Sequence, residues 1–463
     1  MTKVDLRLAG GEVLLPGLGF RRVDVLAADG RIVAVTEPGS GPQAAETVDV
    51  GGLTVLPGAS DVHLHLGHGS DISRPRVASD ADTETAAAAL GGVTSFIPYV
   101  MSPTPYAPLF DELKAVTEAG ARIDFGFHFV IATDEQLAEL PRYIAEFGVP
   151  TAKLFMNIRG DEGKRLGLPG TDDGFLFRLL ETLQAHGGML CPHPENIEVA
   201  WVLRDRVTAA DPEGAGGLAT WNATRPPFVE AEAIRRAAYF GRVTGAPVYS
   251  VHTSSGEALA AAVEQRRQGS RITIETCTHY LTHDTTSPAG ALAKVNPPLR
   301  DPADREALWE GIRRGEVDTV ATDHIHRPVT SKDGGIWKAQ PGFPGLDCFL
   351  PALFSEGHHR RGIPLQRLAE MVTCNPADAM GLAPRKGRIA PGADADFSIL
   401  DMQQRWTVER AGLATDAGYS VWEGQEMACR VVHTIVRGRF AVRDCALDDA
   451  VRGTGRFMAR RLP

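Results

Sequence analysis

The sequence predicts an α/β protein: a (β/α)8 barrel of the TIM type carrying a small β-sandwich built from both chain ends. Three observations predict it. Eight apolar runs in the middle of the chain alternate with segments of helical spacing, the pattern of parallel strands joined by crossover helices. The two ends share a different, β-rich texture broken by Gly, Pro and Asp-Gly. A length of 463 residues suits one large domain with a satellite.

Taken in order, residues 1–55 contain the short runs VDLRLAG, EVLLPG and RRVDVLAADGRIVAVTE. Within the last, Val23 and Val25 on one side and Ile32, Val33 and Val35 on the other flank Ala28-Asp29-Gly30, the chemistry of a tight hairpin turn. Residues 56–385 form the barrel, with strands expected near 59–65, 92–100, 122–131, 149–156, 187–193, 246–252, 271–277 and 317–323. The intervening segments TETAAAALGG, DGFLFRLLETLQAHGG and EAEAIRRAAYFGRVTG have helical spacing and end in Gly. From Lys386 onward, KGRIAPGADADFSIL and ACRVVHTIVRGRFAV return to the β-rich texture, so 386–463 joins 1–55 in the sandwich. A doubly wound open sheet is the competing architecture.

Charge and composition narrow the function. Forty-eight basic against 58 acidic residues give a net charge of −10 with no Lys/Arg block, so neither nucleic acid nor an anionic membrane is an expected partner. No window reaches about 18 consecutive apolar residues, so no membrane span is expected. The opening MTKVDLRLAGGEVLLPG lacks the basic head, apolar stretch and cleavage site of a secretory signal. Six cysteines lie far apart without a CxxC pair and read as reduced thiols, which places the chain in the cytoplasm. The expected partner is a small-molecule substrate.

Metal-competent residues sit late in the predicted strands. His63 and His65 close the first run, two apart and therefore on one face of a strand. Lys153 lies inside the fourth, His193 ends the fifth, His252 the sixth and Asp323 the eighth. The strand C-termini of a barrel converge on the face where active sites lie, so these six residues meet in one pocket. A lone HxH is more often two ordinary histidines. Lys153, however, sits in the apolar run VPTAKLFM, where an ammonium is costly to desolvate without a partner. Carboxylation of its amine by carbon dioxide removes that cost and creates an anionic ligand for two metals.

These residues resemble the amidohydrolase superfamily and, within it, the cyclic amidases: hydantoinase, dihydropyrimidinase, allantoinase and dihydroorotase. Pro57-Gly58-Ala59-Ser60-Asp61-Val62-His63-Leu64-His65 looks like the family's PGxIDxHxH segment, and Ala152-Lys153-Leu154-Phe155-Met156 like that of its carboxylated lysine. Glu275-Thr276-Cys277-Thr278-His279-Tyr280-Leu281 is similar to ETCPxYL, and Asn296-Pro297-Pro298-Leu299-Arg300 with Glu306-Ala307-Leu308-Trp309 to PPLR…EALW. Thr322-Asp323-His324 looks like TDH, and Asn375-Pro376-Ala377, Lys386-Gly387 and Gly392-Ala393-Asp394-Ala395-Asp396 like the NPA…KG…GxDAD tail. The resemblance implies two divalent ions, usually zinc, with manganese an alternative. His63, His65 and Asp323 would hold the more buried ion, His193 and His252 the other, and carboxylated Lys153 would bridge them. It further implies a metal-bridging hydroxide as nucleophile, Asp323 as the catalytic proton carrier, and a homo-oligomer, by resemblance a tetramer.

Departures from that pattern bear on the substrate. Hydantoinases and dihydropyrimidinases carry a tyrosine five residues after the lysine to bind the oxyanion; here that position is Ile158, between Asn157 and Arg159. Their loop asparagine falls in Gln340-Pro341-Gly342-Phe343-Pro344-Gly345, which has none. The dihydroorotase arginine two residues after HxH is Gly67 here, while Asn296 before PPLR is closer to dihydroorotases and allantoinases. Asn157, Arg159, Asn296 and Arg327 are the candidate substrate contacts, with Arg327 or Arg159 reading a polar substituent. Dihydroorotate, plain hydantoin and dihydrouracil are expected to be poor substrates. His68, His324, His326 and the 160–170 loop are candidate rim elements, and His279 and Tyr280 read as packing beneath it. The competing functions are hydrolysis of an acyclic amide, deamination, and a non-catalytic dihydropyrimidinase-like scaffold, which the complete ligand set disfavours.

Overall fold

The computed structural model describes residues 4–67, 71–160, 163 and 167–463. Its centre is a curled parallel sheet of the strands Ala59–His65, Val93–Val100, His128–Val130, Thr151–Phe155, Met189–His193, Val248–Ser250, Ile272–Cys277 and Thr319–Ala321, each hydrogen-bonded to the next. Closure is achieved by a broken last strand. Thr319–Ala321 pairs with Ile272–Cys277, and after Thr322-Asp323 the short continuation His324–Ile325 pairs with the first barrel strand. The third strand is also split: Asp124–Phe125 and His128–Val130 both pair with Val93–Val100.

The helices follow from sequence in a plain way. Asp173–His186 begins at Asp172, whose side chain accepts from the Phe175 amide, and ends at Gly187 in the left-handed region (φ 73°). Phe175, Leu176, Leu179, Leu180 and Leu183 recur at helical spacing and are all buried. Pro227–Thr244 likewise stops at Gly245 (φ 84°), a conformation that costs glycine little.

The small domain is made by both ends. Strands Val4–Leu15, Gly19–Ala28, Arg31–Thr36, Ala44–Asp49 and Thr54–Pro57 share one sheet with Phe397–Asp401, Arg430–Val436, Arg439–Arg443 and Ala446–Leu447. Leu6, Leu8, Val13, Val25, Val55, Phe397, Ile399, Ile435 and Phe440 form its common core. Within the expected 386–463 segment, the chain end packs on the barrel. Phe125 and Gly148 exchange backbone hydrogen bonds with residues 456–460, at the N-terminal ends of the barrel strands. There the buried Arg460 guanidinium donates to the carbonyls of Phe127 and Met380 and to the Thr151 hydroxyl, partners that only the barrel offers.

Candidate active site

Burial and chain geometry bring the six predicted residues to one end of the barrel. His63 and His65, two apart on the first strand, are both buried. Asp323 occupies the break in the last strand with φ 48°, and its amide donates to the His63 carbonyl. Its Oδ1 lies 3.2 Å from His63 Nε2 and 3.8 Å from His65 Nε2. Although buried, His63 Nε2 makes no hydrogen bond among the described residues.

A second pair stands beside this group. His193 ends the fifth strand, and His252 follows the sixth with φ 40°, a left-handed backbone uncommon for histidine. His252 Nε2 lies 2.9 Å from His193 Nδ1, and the His252 and His63 ring centroids are 5.2 Å apart. Lys153 projects from the fourth strand with its Nζ 4.3 Å from the Tyr99 ring centroid. No carboxylate lies within salt-bridge distance of it among the described residues, so the buried amine has an aromatic face where an anion is wanted.

Two carboxylates behind the histidines orient them. Glu275 Oε1 is 2.6 Å from His63 Nδ1 and accepts the His252 amide at 2.8 Å. Glu195 Oε2 is 2.7 Å from His193 Nε2 and accepts from Arg225 at 3.0 Å. Glu195 was missed in the sequence, and Glu275 appeared there only within a motif. The signal was present for Glu275: a carboxylate inside the apolar run RITIETC poses the same desolvation problem as Lys153.

Electrostatics suit the donors to their task. Burial pushes the Lys153 amine down to about 8, against the opposing pull of Asp323. Burial also lowers His65 to about 3 and holds His193 and His252 below the usual imidazole range, favouring the neutral form that ligates metals. For Asp323 burial works upward, but the adjacent His63 and His65 outweigh it and hold the carboxyl well below its usual range. Glu195, raised by burial, is brought down to about 2 chiefly by Arg225 and His193.

The donor set fits a metal pair. Two ligands each about 2.0–2.1 Å from one tetrahedral ion stand roughly 3.3 Å apart. The His63–Asp323, His65–Asp323 and His193–His252 separations of 3.2, 3.8 and 2.9 Å bracket that value. The orphaned His63 Nε2 points the same way.

All six residues line a cavity of about 690 Å³. Asn157, Asn296 and Arg327 line it as well, as do Ile158 and Pro341. Asn157 donates to Glu195 at 3.4 Å, Asn296 Oδ1 accepts from Trp221 Nε1 at 3.2 Å, and Arg327 Nε donates to the Pro341 carbonyl at 3.4 Å. Arg159 is not brought to the site: its Nε donates to the Thr171 carbonyl at 2.7 Å and its guanidinium pairs with Glu198, outside the cavity.

The departures are built into the packing. Ile158 belongs to an apolar cluster with Ile72, Met101, Leu168 and Ile325. A Cβ at Gly67 would come within 2.5 Å of the Asp71 carbonyl, so the backbone itself excludes a side chain there. His324 is buried, accepting from the Gly345 amide and facing Glu84, and His326 Nε2 lies 2.5 Å from Asp416 Oδ1. Neither is among the cavity-lining residues. Tyr280 and His279 are buried packing residues, the former donating to the Pro297 carbonyl at 2.6 Å. His68 and part of the 160–170 loop lie outside the described residues.

Comparison with known proteins agrees with this geometry. A model of the amidohydrolase family matches residues 263–441. The allantoinase of Deinococcus radiodurans is 36% identical over 450 residues, spanning 94% of this chain and 95% of its own. Escherichia coli allantoinase is 31% identical over 448 residues, spanning 94% of each. Among solved structures, dihydropyrimidinase from Brevibacillus agri superposes with a TM-score of 0.89 at 28% identity, covering 100% of this chain and 99% of that one. L-Hydantoinase from Arthrobacter aurescens gives 0.90 at 27% identity, covering 99% and 100%.

Proposed function

The chain belongs to the amidohydrolase superfamily, in its hydantoinase, dihydropyrimidinase and allantoinase branch, and from that premise we propose a binuclear-metal hydrolase that opens a cyclic amide ring. One observation carries the reading: two groups of facing donors, His63/His65/Asp323 and His193/His252, meet around Lys153 in a single cavity. Two bound divalent ions, with zinc first among the candidates, would supply an ionised water near neutral pH and polarise the scissile carbonyl.

The rest is work for the chain's own residues. His63, His65 and Asp323 would hold one ion and His193 and His252 the other. Lys153 would serve both as a carbamate: its neutral amine attacks carbon dioxide and releases a proton, replacing a cation with a two-oxygen anion. Support comes from its burial, which lowers the amine to about 8 and so raises the share of the neutral form that makes that attack. The Asp323 carboxylate takes the proton of the attacking water and delivers it to the ring nitrogen. The carbon–nitrogen bond then breaks as the new carbon–oxygen bond is kept. Asn157 and Asn296 offer amide groups to the ring and Arg327 a guanidinium to a polar substituent. None of these is the tyrosine hydroxyl, since Ile158 fills that position with a buried alkyl group.

The curated relatives at 31–36% identity are allantoinases, so a hydantoin-type ring with a polar side group leads the candidates. The test is a side-by-side panel of allantoin, hydantoin, 5-substituted hydantoins, dihydrouracil and dihydroorotate on metal-replete protein, with product masses measured. Ring opening adds one water; loss of ammonia as well would redirect the reading to deamination.

We further place the protein in the cytoplasm as a homo-oligomer, a tetramer by analogy. Six free cysteines support the first, and no helix among the described residues is long and apolar enough to cross a membrane. Exposed Phe228, Tyr239 and Val243 on the helix Pro227–Thr244 support the second.

A further inference from the structure

The two buried carboxylates behind the histidines are connected differently, and this difference is the basis for a new assignment. Among the described residues, Glu195 touches one candidate ligand. Its Oε2 meets His193 Nε2 at 2.7 Å, and its other partners are Arg225 at 3.0 Å and Asn157 at 3.4 Å. Glu275 touches a ligand in each group: Oε1 meets His63 Nδ1 at 2.6 Å and accepts the His252 backbone amide at 2.8 Å.

A neutral imidazole carries one proton and one lone pair, and the nitrogen facing a carboxylate takes the proton. Glu195 therefore leaves the lone pair of His193 on Nδ1, the atom facing His252 Nε2 at 2.9 Å. Glu275 by the same logic leaves the lone pair of His63 on Nε2, the atom 3.2 Å from Asp323 Oδ1. It also pins the amide of His252, whose left-handed backbone (φ 40°) a lost hydrogen bond would release.

We propose that Glu195 and Glu275 are positioning residues of unequal reach: Glu195 sets the affinity of the ion held by His193 and His252 alone, whereas Glu275 sets the affinity of both ions. This rests on the binuclear reading above and goes beyond it in saying which residue can remove one ion and leave the other.

The experiment is equilibrium dialysis of the full chain against graded free zinc, with bound metal counted by elemental analysis, for the wild type, Glu195→Gln, Glu195→Asp and Glu275→Gln. Both Glu195 variants are expected to keep one ion at wild-type affinity and to bind the other about 10–100-fold more weakly. Glu195→Asp retains the charge beside Arg225 but draws it back from His193 by one carbon, so it reports even where the Gln variant does not fold. Glu275→Gln is expected to weaken both ions. Equal weakening of both ions in the Glu195 variants, or no change in either, overturns the assignment while leaving the binuclear reading intact. If Glu275→Gln weakens one ion only, the unequal reach is wrong. A wild-type chain that takes up fewer than two ions removes the binuclear reading itself.

Discussion

The two donor groups in the cavity are built by opposite means. His63, His65 and Asp323 come from strands that pair with one another at the point where the barrel closes. Their spacing follows from strand register, with the Asp323 amide bonded directly to the His63 carbonyl. His193 and His252 come from the ends of the fifth and sixth strands, which pair at Leu190 opposite Val248. Their orientation depends on side chains behind them, Glu195 and Glu275. Backbone pairing spaces the first group, with Glu275 also facing His63, whereas the second leans on buried carboxylates for its orientation. A site divided in this way should tolerate loss of one ion without losing its frame.

Lys153 is the residue that breaks the comparison altogether, because in the proposed reading it serves both groups. Lys153→Ala is expected to lose both ions and to reduce the rate on the order of 10³-fold or more, since neither group alone ionises water as a pair does. Acetate or propionate should restore part of the activity by entering the space the side chain vacates. Full activity in Lys153→Ala, measured as kcat/KM with bound metal counted in parallel, would show that the lysine only packs against Tyr99.

Asp323→Asn should separate holding from chemistry within the first group. A carboxamide keeps one oxygen for the ion and cannot carry the proton, so bound metal should persist while kcat falls by roughly 10²–10⁴-fold. Loss of metal and rate in equal measure would instead make Asp323 a ligand and no more.

Arg327 lines the same cavity without belonging to either donor group and should matter for the substrate rather than the ions. Arg327→Ala is expected to leave two ions bound and to lower kcat/KM by roughly ten- to a hundred-fold, the value of a charge-assisted hydrogen bond of about 1.5–3 kcal/mol. The loss should be confined to rings with a polar substituent. A uniform loss across the panel would point to a collapsed wall near Pro341, whose carbonyl it holds.

What could be read from the sequence follows the same division. Strand ends carrying His63, His65, His193, His252 and Asp323 were legible because a barrel turns distant C-termini into neighbours. Lys153 was legible because its apolar surroundings made a charge expensive. Glu195 was not, since two residues beyond a strand its contacts depend on Arg225, thirty positions away and on no shared period. The break at Asp323 was also invisible, because a left-handed aspartate has no marker comparable to glycine. The packing of the C-terminal tail on the barrel was not legible, because its β-like composition says nothing about which domain supplies partners for Arg460.

Arg159 tests that last kind of gap and should give the smallest effect. It was a candidate because it flanks Ile158, the position where hydantoinases and dihydropyrimidinases carry the oxyanion tyrosine. The strand ends at Phe155, however, and beyond it alternation no longer governs direction. The guanidinium instead reaches the Thr171 carbonyl and a half-exposed Glu198, with 25% and 54% of the two side chains accessible. Exposed pairs of this kind contribute about 0–1 kcal/mol. Arg159→Ala is therefore expected to keep both ions, to hold kcat/KM within about twofold on every ring tested, and to lower stability by no more than about 1 kcal/mol in denaturant titration. A loss comparable to that of Arg327→Ala, limited to substituted rings, would mean that Arg159 leaves Glu198 and swings into the cavity when substrate binds.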